Sequence, residues 1–367
     1  MDAKRKSDWD PRSEEVRRDQ VAVYDEMRGR CPVAHSEYLH WSLFRHEDVM
    51  RVLNEPETFS SAVSHHLSVP NGMDPPEHAQ YREIIEPYFD PERMAAFEPK
   101  CRSIAASLVD ALPRHGEVEF MAGFAEAFAM RIQCAFLGWP GQLHVPLREW
   151  VRRNHAATLS GDKRAMGSVA VQFDGYISAL LTERRRLGCD APEDITTSLM
   201  RAHIGGRPLS DPEIVSILRN WTVGELGTIA ACVGILAQYL AVRPDVQEQV
   251  RAHSALLPAA IDEILRIRPP LIANRRVAAK AVNIGGRNIE AGERITLIWA
   301  SADRDEAAFG NSDEFRLDRD PDKNLLYGAG IHACPGAPLA RLELRVVMEE
   351  LLAKTTRLAL VSDSPSV

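Results

Sequence analysis

Tyr327-Gly328-Ala329-Gly330-Ile331-His332-Ala333-Cys334-Pro335-Gly336 runs directly into a helical pattern, Leu339, Leu342 and Val346, with Glu349 and Glu350 following. A single cysteine between glycine-bearing turns and a helix start is a candidate metal ligand. Gly328, Gly330 and Gly336 permit positive φ and close backbone approach, so this loop can fold back and aim several N–H groups at one sulfur. Those donors, with the helix N-terminus behind them, favour the thiolate. Cys334 has no CxxC partner, which makes it poor zinc chemistry, whereas a lone thiolate suits the proximal position of a heme iron. Read by itself, the loop has a strong competitor: a buried free cysteine ahead of a surface helix.

Composition narrows the classes of function. The chain has 367 residues, 45% hydrophobic and 26% charged, which is ordinary for a globular protein and argues against disorder. Its net charge of −8 disfavours non-specific binding to nucleic acid or anionic membrane. No run approaches the about 18 consecutive apolar residues of a spanning helix. The start, Met1 to Trp9, lacks the apolar core of a signal peptide. Six scattered cysteines (Cys31, Cys101, Cys134, Cys189, Cys232, Cys334) show no motif spacing, as in a reducing compartment. The expectation is a cytoplasmic protein.

Along the chain, helical patterns dominate. Asp48 to Leu53, Pro91 to Leu112, Ala122 to Leu137 and Val169 to Arg185 carry apolar residues three and four apart. Extended runs are few: around Val33, Trp41 to Phe44, and between Ile272 and Ala300. Leu187 to Pro192 and Ile204 to Pro208 read as exposed loops, and Arg184-Arg185-Arg186 as a solvated basic helix end. The fold class is mainly α with small β-sheets, and a doubly wound α/β fold is excluded. Ser210-Asp211-Pro212-Glu213 is a capping box with proline in the first turn. It opens a long helix through Ile217, Trp221, Ile229 and Val233 to Leu240. Apolar on most sides, this helix belongs in the interior.

Several stretches together resemble one family. The cysteine loop is similar to the heme-binding signature of cytochrome P450, with Tyr327 in the place of the usual phenylalanine, and Ala337 to Arg341 extends the likeness to bacterial members. His78 and Arg82, four apart after Pro75-Pro76, resemble the family's propionate-binding pair. Glu263-Ile264-Leu265-Arg266 resembles its Glu-x-x-Arg, with Arg319 completing a buried triad. Arg276 stands where the family has a propionate-binding arginine, with Arg275 as the adjacent candidate because a one-residue shift in a strand flips the side chain. His332, two before Cys334, is a further propionate position.

On the long helix, Thr222-Val223-Gly224-Glu225-Leu226-Gly227-Thr228 departs from the family pattern. The resemblance puts the small residue over the heme at Gly224 and the proton-delivering alcohol at Thr228. The acid expected just before the alcohol is missing: Gly227 stands there, and Glu225 lies three residues earlier. Glu225 is a helix neighbour of Thr228. It is read as feeding the same proton path, as binding a polar or basic substrate group, or as paired to an arginine of a neighbouring helix. The candidate catalytic residues are thus Thr228, Glu225 and Gly224, and the cofactor set is His78, Arg82, Arg276, His332 and Cys334, with Cys334 the metal ligand.

The resemblance implies a single P450 domain over 1–367, with heme b between the long interior helix and the helix of the cysteine loop. The family continues into a C-terminal hairpin, whereas this chain stops at Val367, so the hairpin is expected to be missing or shortened. The implied activity is that of a heme-thiolate monooxygenase, inserting one atom of dioxygen into a small, largely apolar organic substrate by hydroxylation or dealkylation. The chain holds no flavin or iron–sulfur motif, so electrons are expected from a ferredoxin and its reductase. Arg341 and Arg345 are candidates to dock an acidic donor, with ordinary helix surface as the alternative. Two other readings stay open: a peroxide-driven peroxygenase using Glu225, and a non-catalytic heme-thiolate ligand sensor.

Overall fold

A computed structural model describes residues 6–113 and 115–361. In chain order its α-helices are α1 (Glu14–Arg18), α2 (Gln20–Arg30), α3 (His46–Asn54), α4 (Glu77–Ile85), α5 (Pro91–Asp110), α6 (Glu126–Leu137), α7 (His144–Ser160), α8 (Lys163–Leu187), α9 (Ile195–Arg201), α10 (Asp211–Val242), α11 (Pro244–Ala252), α12 (Leu257–Ile267), α13 (Trp299–Ala302), α14 (Glu306–Phe309) and α15 (Ala337–Lys354). The strands are short: β1 (Val33–Ser36), β2 (His40–Leu43), β3 (Phe59–Ser60), β4 (His203–Ile204), β5 (Arg207–Pro208), β6 (Asn274–Ala278), β7 (Val282–Ile284), β8 (Arg287–Ile289) and β9 (Arg294–Leu297). The mainly helical class with small sheets is borne out. The Ile204 to Pro208 region, expected as a loop, forms the β4–β5 hairpin, closed by Gly205 and Gly206 at positive φ.

The chain divides into two compact units. The first comprises Met1–His66, Asn71–His78 and Ala259–Cys334; the second comprises Leu67–Pro70, Ala79–Pro258 and Pro335–Val367. The first is built on a five-stranded sheet of order β1-β2-β9-β6-β3. It is antiparallel except for the β2–β9 pair, which is parallel. Alternation along β2 and β9 sends Trp41, Leu43, Ile295 and Leu297 into one core, where Val49 and Val52 of α3 cover them. Trp9, Tyr24, Phe44 and Ile298 form a second cluster in the same unit, with Trp9 and Phe44 in edge-on contact at 5.2 Å.

The second unit is helical apart from β4–β5. Its long helix α10 starts as the sequence predicts. Ser210 and Glu213 form a full capping box, and Glu213 also accepts hydrogen bonds from the Tyr81 hydroxyl and from Arg207, at 2.6 Å. These donors hold the Glu213 carboxyl well below the usual carboxylate range. Helix α10 is long and apolar enough to cross a membrane by length and composition, so the expectation that no segment approaches a spanning helix is corrected by its hydropathy. Its apolar surface is instead covered by the unit: Ile214, Ile217, Leu218, Leu226, Ile229, Val233 and Leu236 are all buried.

Helices α5 and α15 are joined by ion pairs: Arg102 with Glu98, Glu349 and Glu350 at 2.7–3.2 Å, and Arg345 with Glu98 and Glu349 at 2.7 and 3.2 Å. Arg345 is therefore committed within the unit, which weighs against the docking role considered for it. Arg184 departs from the solvated-end reading too. It is 6% exposed and pairs with Asp194 at 2.7 Å, while Arg185 and Arg186 are exposed and pair with Asp211 and Glu183. Beyond α15, residues 355–361 carry no strand. Residues 362–367, on which the expectation of a missing or shortened C-terminal hairpin also bears, and residues 1–5 of the start lie outside the described residues.

Candidate functional site

In the first unit the cysteine loop is shaped by three short-range constraints. Gly328 and Gly330 take φ of 70° and 67°, which other residues reach only with strain. A Cβ at Gly330 would run into the Leu53 carbonyl oxygen, and one at Gly328 would sit 3.6 Å from the Trp299 ring. The Cys334 N–H donates to the Tyr327 carbonyl at 2.8 Å, closing the loop on itself. The result is an exposed cysteine on a backbone with little room to move. The competing reading, a buried free cysteine, is therefore set aside.

Around the loop the unit gathers polar groups from distant parts of the chain. The rings of His78 and His332 lie 4.2 Å apart, and His332 Nε2 is 2.9 Å from Ser61 Oγ. The Ser61 N–H donates to Asp74 at 2.8 Å, and the Asp74 carbonyl accepts the His78 N–H at the start of α4. Asp74 also acts electrostatically on Arg276. Strand β6 decides between the two candidate arginines: Arg276 is buried and Arg275 exposed. Arg276 donates to the Arg275 carbonyl at 2.8 Å, and among the described residues it forms no ion pair. Burial holds its pKa below the usual value, with Asp74 offsetting this only in part.

A buried cation without a counter-ion is costly, so this position calls for an anion. The donor set fits the carboxylates of a heme b, and an exposed sulfur on a rigid loop fits its iron. The expected buried triad is present in the same unit: Arg266 and Arg319 meet Glu263 at 2.7 and 2.8 Å. Asp303, buried in the same unit, accepts the Leu325 N–H at 2.8 Å. Burial pushes its carboxyl up to about 7, so near neutrality the group is to a large extent uncharged, as an asparagine would be.

The second unit carries the remaining candidates. Arg82 lies one turn after His78 on α4 and pairs with Glu86 at 2.8 Å. On α10, Val223 and Gly224 are exposed, and Gly227, Thr228 and Ala231 are half-buried. These positions form one accessible stripe, three and four residues apart, beside the buried Glu225, Leu226, Ile229 and Ala230. Thr228 and Gly224 share it. Gly227 faces α7, where His155 Nε2 lies 3.4 Å from the place a Cβ would occupy, so an imidazole stands where the family's acid would project. Glu225 points the other way, into the unit, and meets Glu343 of α15. The third sequence reading, a glutamate paired to a neighbouring arginine, is thereby corrected: its partner is another carboxyl.

His155 and Glu343 escaped the sequence reading. A signal for Glu343 existed, since it sits between Leu342 and Val346 on the apolar stripe of its helix. Nothing local marked His155.

Comparison with known proteins agrees with this geometry. The cytochrome P450 family model matches residues 152–356. The chain is 30% identical to cyclomarin C epoxidase of Salinispora arenicola, over 91% of this chain and 88% of that protein. It is 30% identical to erythromycin C-12 hydroxylase of Saccharopolyspora erythraea, over 94% and 90% respectively. Among solved structures, the open form of cytochrome P450 EryK from S. erythraea superposes with a TM-score of 0.85 at 29% identity, covering 94% of this chain and 90% of that one. With this likeness extending over nearly the whole chain, and a single exposed cysteine seated in the signature loop, the protein belongs to the cytochrome P450 family.

Proposed function

We propose that this P450 monooxygenase hydroxylates, or dealkylates through hydroxylation, a small, largely apolar organic substrate with electrons from a separate ferredoxin and ferredoxin reductase. The family's heme b supplies the iron at which dioxygen is reduced and one oxygen atom is transferred. The observation that carries the site assignment is Arg276, buried in the same unit as Cys334 and, among the described residues, without an ion-pair partner. In this reading Cys334 ligates the iron, and Arg276, His332, His78 and Arg82 hold the propionates. The accessible face of α10 offers substrate an apolar side chain at Val223 and backbone at Gly224. In the other unit, Leu271 and Ile272 are accessible apolar side chains ahead of β6.

Thr228 is read as the hydroxyl that passes protons during oxygen activation, its Oγ1 accepting one as it gives up another. Relatives act on cyclomarin C, mycinamicin IV, linalool and erythromycin by their names, which supports an organic substrate without choosing among them. None of the six cysteines is in a disulfide, which supports a cytoplasmic setting.

The test has three steps. The reduced protein is examined with carbon monoxide for the thiolate-type difference spectrum, which Cys334→Ala should abolish. Candidate substrates are then titrated for a shift of the heme spin state. Turnover is finally compared with ferredoxin, reductase and NAD(P)H against hydrogen peroxide alone. Faster turnover with peroxide would overturn the electron-donor reading in favour of a peroxygenase, and spectral binding with no product under either supply would overturn the monooxygenase reading of this chain in favour of a sensor.

A further inference from the structure

Glu225 and Glu343 oppose each other inside the second unit. Glu225 on α10 is 8% exposed and Glu343 on α15 is fully enclosed. Their carboxyl groups lie within hydrogen-bonding distance of one another, yet Glu225 Oε1 and both oxygens of Glu343 have no donor from any other group. Two carboxylate oxygens are both acceptors, so this contact is a bond only if a proton lies between them.

No cation among the described residues offers an alternative. Arg102, which acts on the adjoining thiol of Cys101, is committed to Glu98, Glu349 and Glu350. The other titratable neighbours are the thiols themselves, Cys101 of α5 and Cys232 of α10. Both are pushed far up by burial and by the two carboxyls. They stay neutral and contribute no charge. Two enclosed carboxyls in contact, with no counter-ion, cannot both ionise. Burial pushes Glu225 up to about 7 and Glu343 well above its ordinary range.

Glu225 is also one helical turn before Thr228, in a chain whose Gly227 lacks the acid that normally precedes that threonine. We propose that Glu225 and Glu343 form a proton-sharing carboxyl pair that replaces the missing acid, holding a proton at neutral pH and releasing it towards the Thr228 hydroxyl. On release, water carries a proton from the Glu225 carboxyl to Thr228 Oγ1 as that hydroxyl passes its own proton on. The pair keeps the added negative charge, spread over two facing carboxyls, until solvent water returns a proton. Neither glutamate touches the reacting atoms: both act through Thr228, as positioning residues. The release step rests on the role proposed for Thr228, whereas the shared proton does not.

The experiment uses the holoenzyme and its E225Q, E343Q, E343D and doubly substituted E225Q/E343Q forms. Infrared difference spectra between pH 6 and 9 should show, in the wild type, a protonated-carboxyl C=O band that persists at pH 8. The double variant should lack it, each single Gln variant should shift it, and E343D should retain it. A wild-type spectrum without such a band at pH 8 overturns the shared proton.

Release is read separately, from product formed per oxygen consumed and from its pH profile. E225Q should lower coupling at least threefold and flatten the fall in rate between pH 6 and 9, with substrate-binding spectra unchanged. Bands that respond as expected beside an unaltered coupling ratio and pH profile overturn the release step. Loss of coupling in E225Q but not in Thr228→Ala overturns the Thr228 reading and, with it, the route, while leaving the shared proton standing.

Discussion

His332 stands with its ring 4.2 Å from that of His78 and its Nε2 2.9 Å from Ser61 Oγ, which ties the cysteine loop to the first turn of α4 within one unit. The contact joins two residues far apart in the chain, and it shows that polar groups around the cysteine loop of this unit are organised as a connected set. Asp74 anchors the set through Ser61 and through the backbone of His78. Arg276 is its buried cation.

Arg276 should therefore affect cofactor retention more than folding. A hydrogen bond to a charged group contributes about 1.5–3 kcal/mol, so Arg276→Met is expected to weaken heme binding by roughly 10- to 100-fold. Freed of an uncompensated charge, the apo-protein should be at least as stable as the wild type. Heme transfer to an acceptor globin, and thermal melting of both apo forms, measure the two effects. A destabilised apo-protein with unchanged heme retention would contradict the assignment.

Gly330→Ala should disorder the loop of Cys334, the proposed iron ligand, without unfolding the chain. Its positive φ and the Leu53 carbonyl in the path of any Cβ force the loop to shift. The reduced protein with carbon monoxide is expected to lose most of its thiolate-type spectrum. Far-ultraviolet circular dichroism should stay close to wild type.

Glu263 is the buried hub of two arginines, the buried Arg266 and the half-buried Arg319, at 2.7 and 2.8 Å, and it also accepts the Arg316 N–H at 3.1 Å. Removing one partner of a buried pair costs about 3–5 kcal/mol. Glu263→Ala is expected to lower stability by that order in urea denaturation and to reduce heme content in parallel. Arg319→Lys should cost less, because it preserves the charge.

Asp303 ties stability to pH with a definite sign. Its folded carboxyl titrates at about 7, above the roughly 3.9 of an unfolded aspartate. The folded chain therefore binds the extra proton between these values. The stability this provides is present at low pH and is lost as pH rises through 7. Asp303→Asn keeps an acceptor for the Leu325 N–H and carries no ionisable group. It should flatten the decline between pH 5 and 8.5 and leave the variant more stable than wild type at the upper end, by on the order of a few kcal/mol. Melting temperature against pH for the two proteins decides it. The residual slope in Asp303→Asn is expected to come from Glu225 and Glu343, whose raised carboxyls have the same sign.

Much of this protein was legible in its residues alone. The glycine-flanked Cys334, the capping box at Ser210, the Glu263/Arg266 spacing and the helical periods are all signals that act over three or four residues. Backbone sterics and hydrogen bonds at that range do not wait for the rest of the fold. What required tertiary structure were the choices between equivalent neighbours and the identities of distant partners. Arg276 over Arg275 depends on which face of β6 is enclosed, and strand alternation cannot say that without the sheet. The imidazole over Gly227 comes from His155 on α7, and the partner of Glu225 from α15, because helix packing juxtaposes side chains by surface shape and burial. Neither factor is encoded in local spacing. Glu225 was visible as an acid out of place, but only its enclosure against Glu343, with no cation in reach, turned a misplaced charge into a group that must keep a proton.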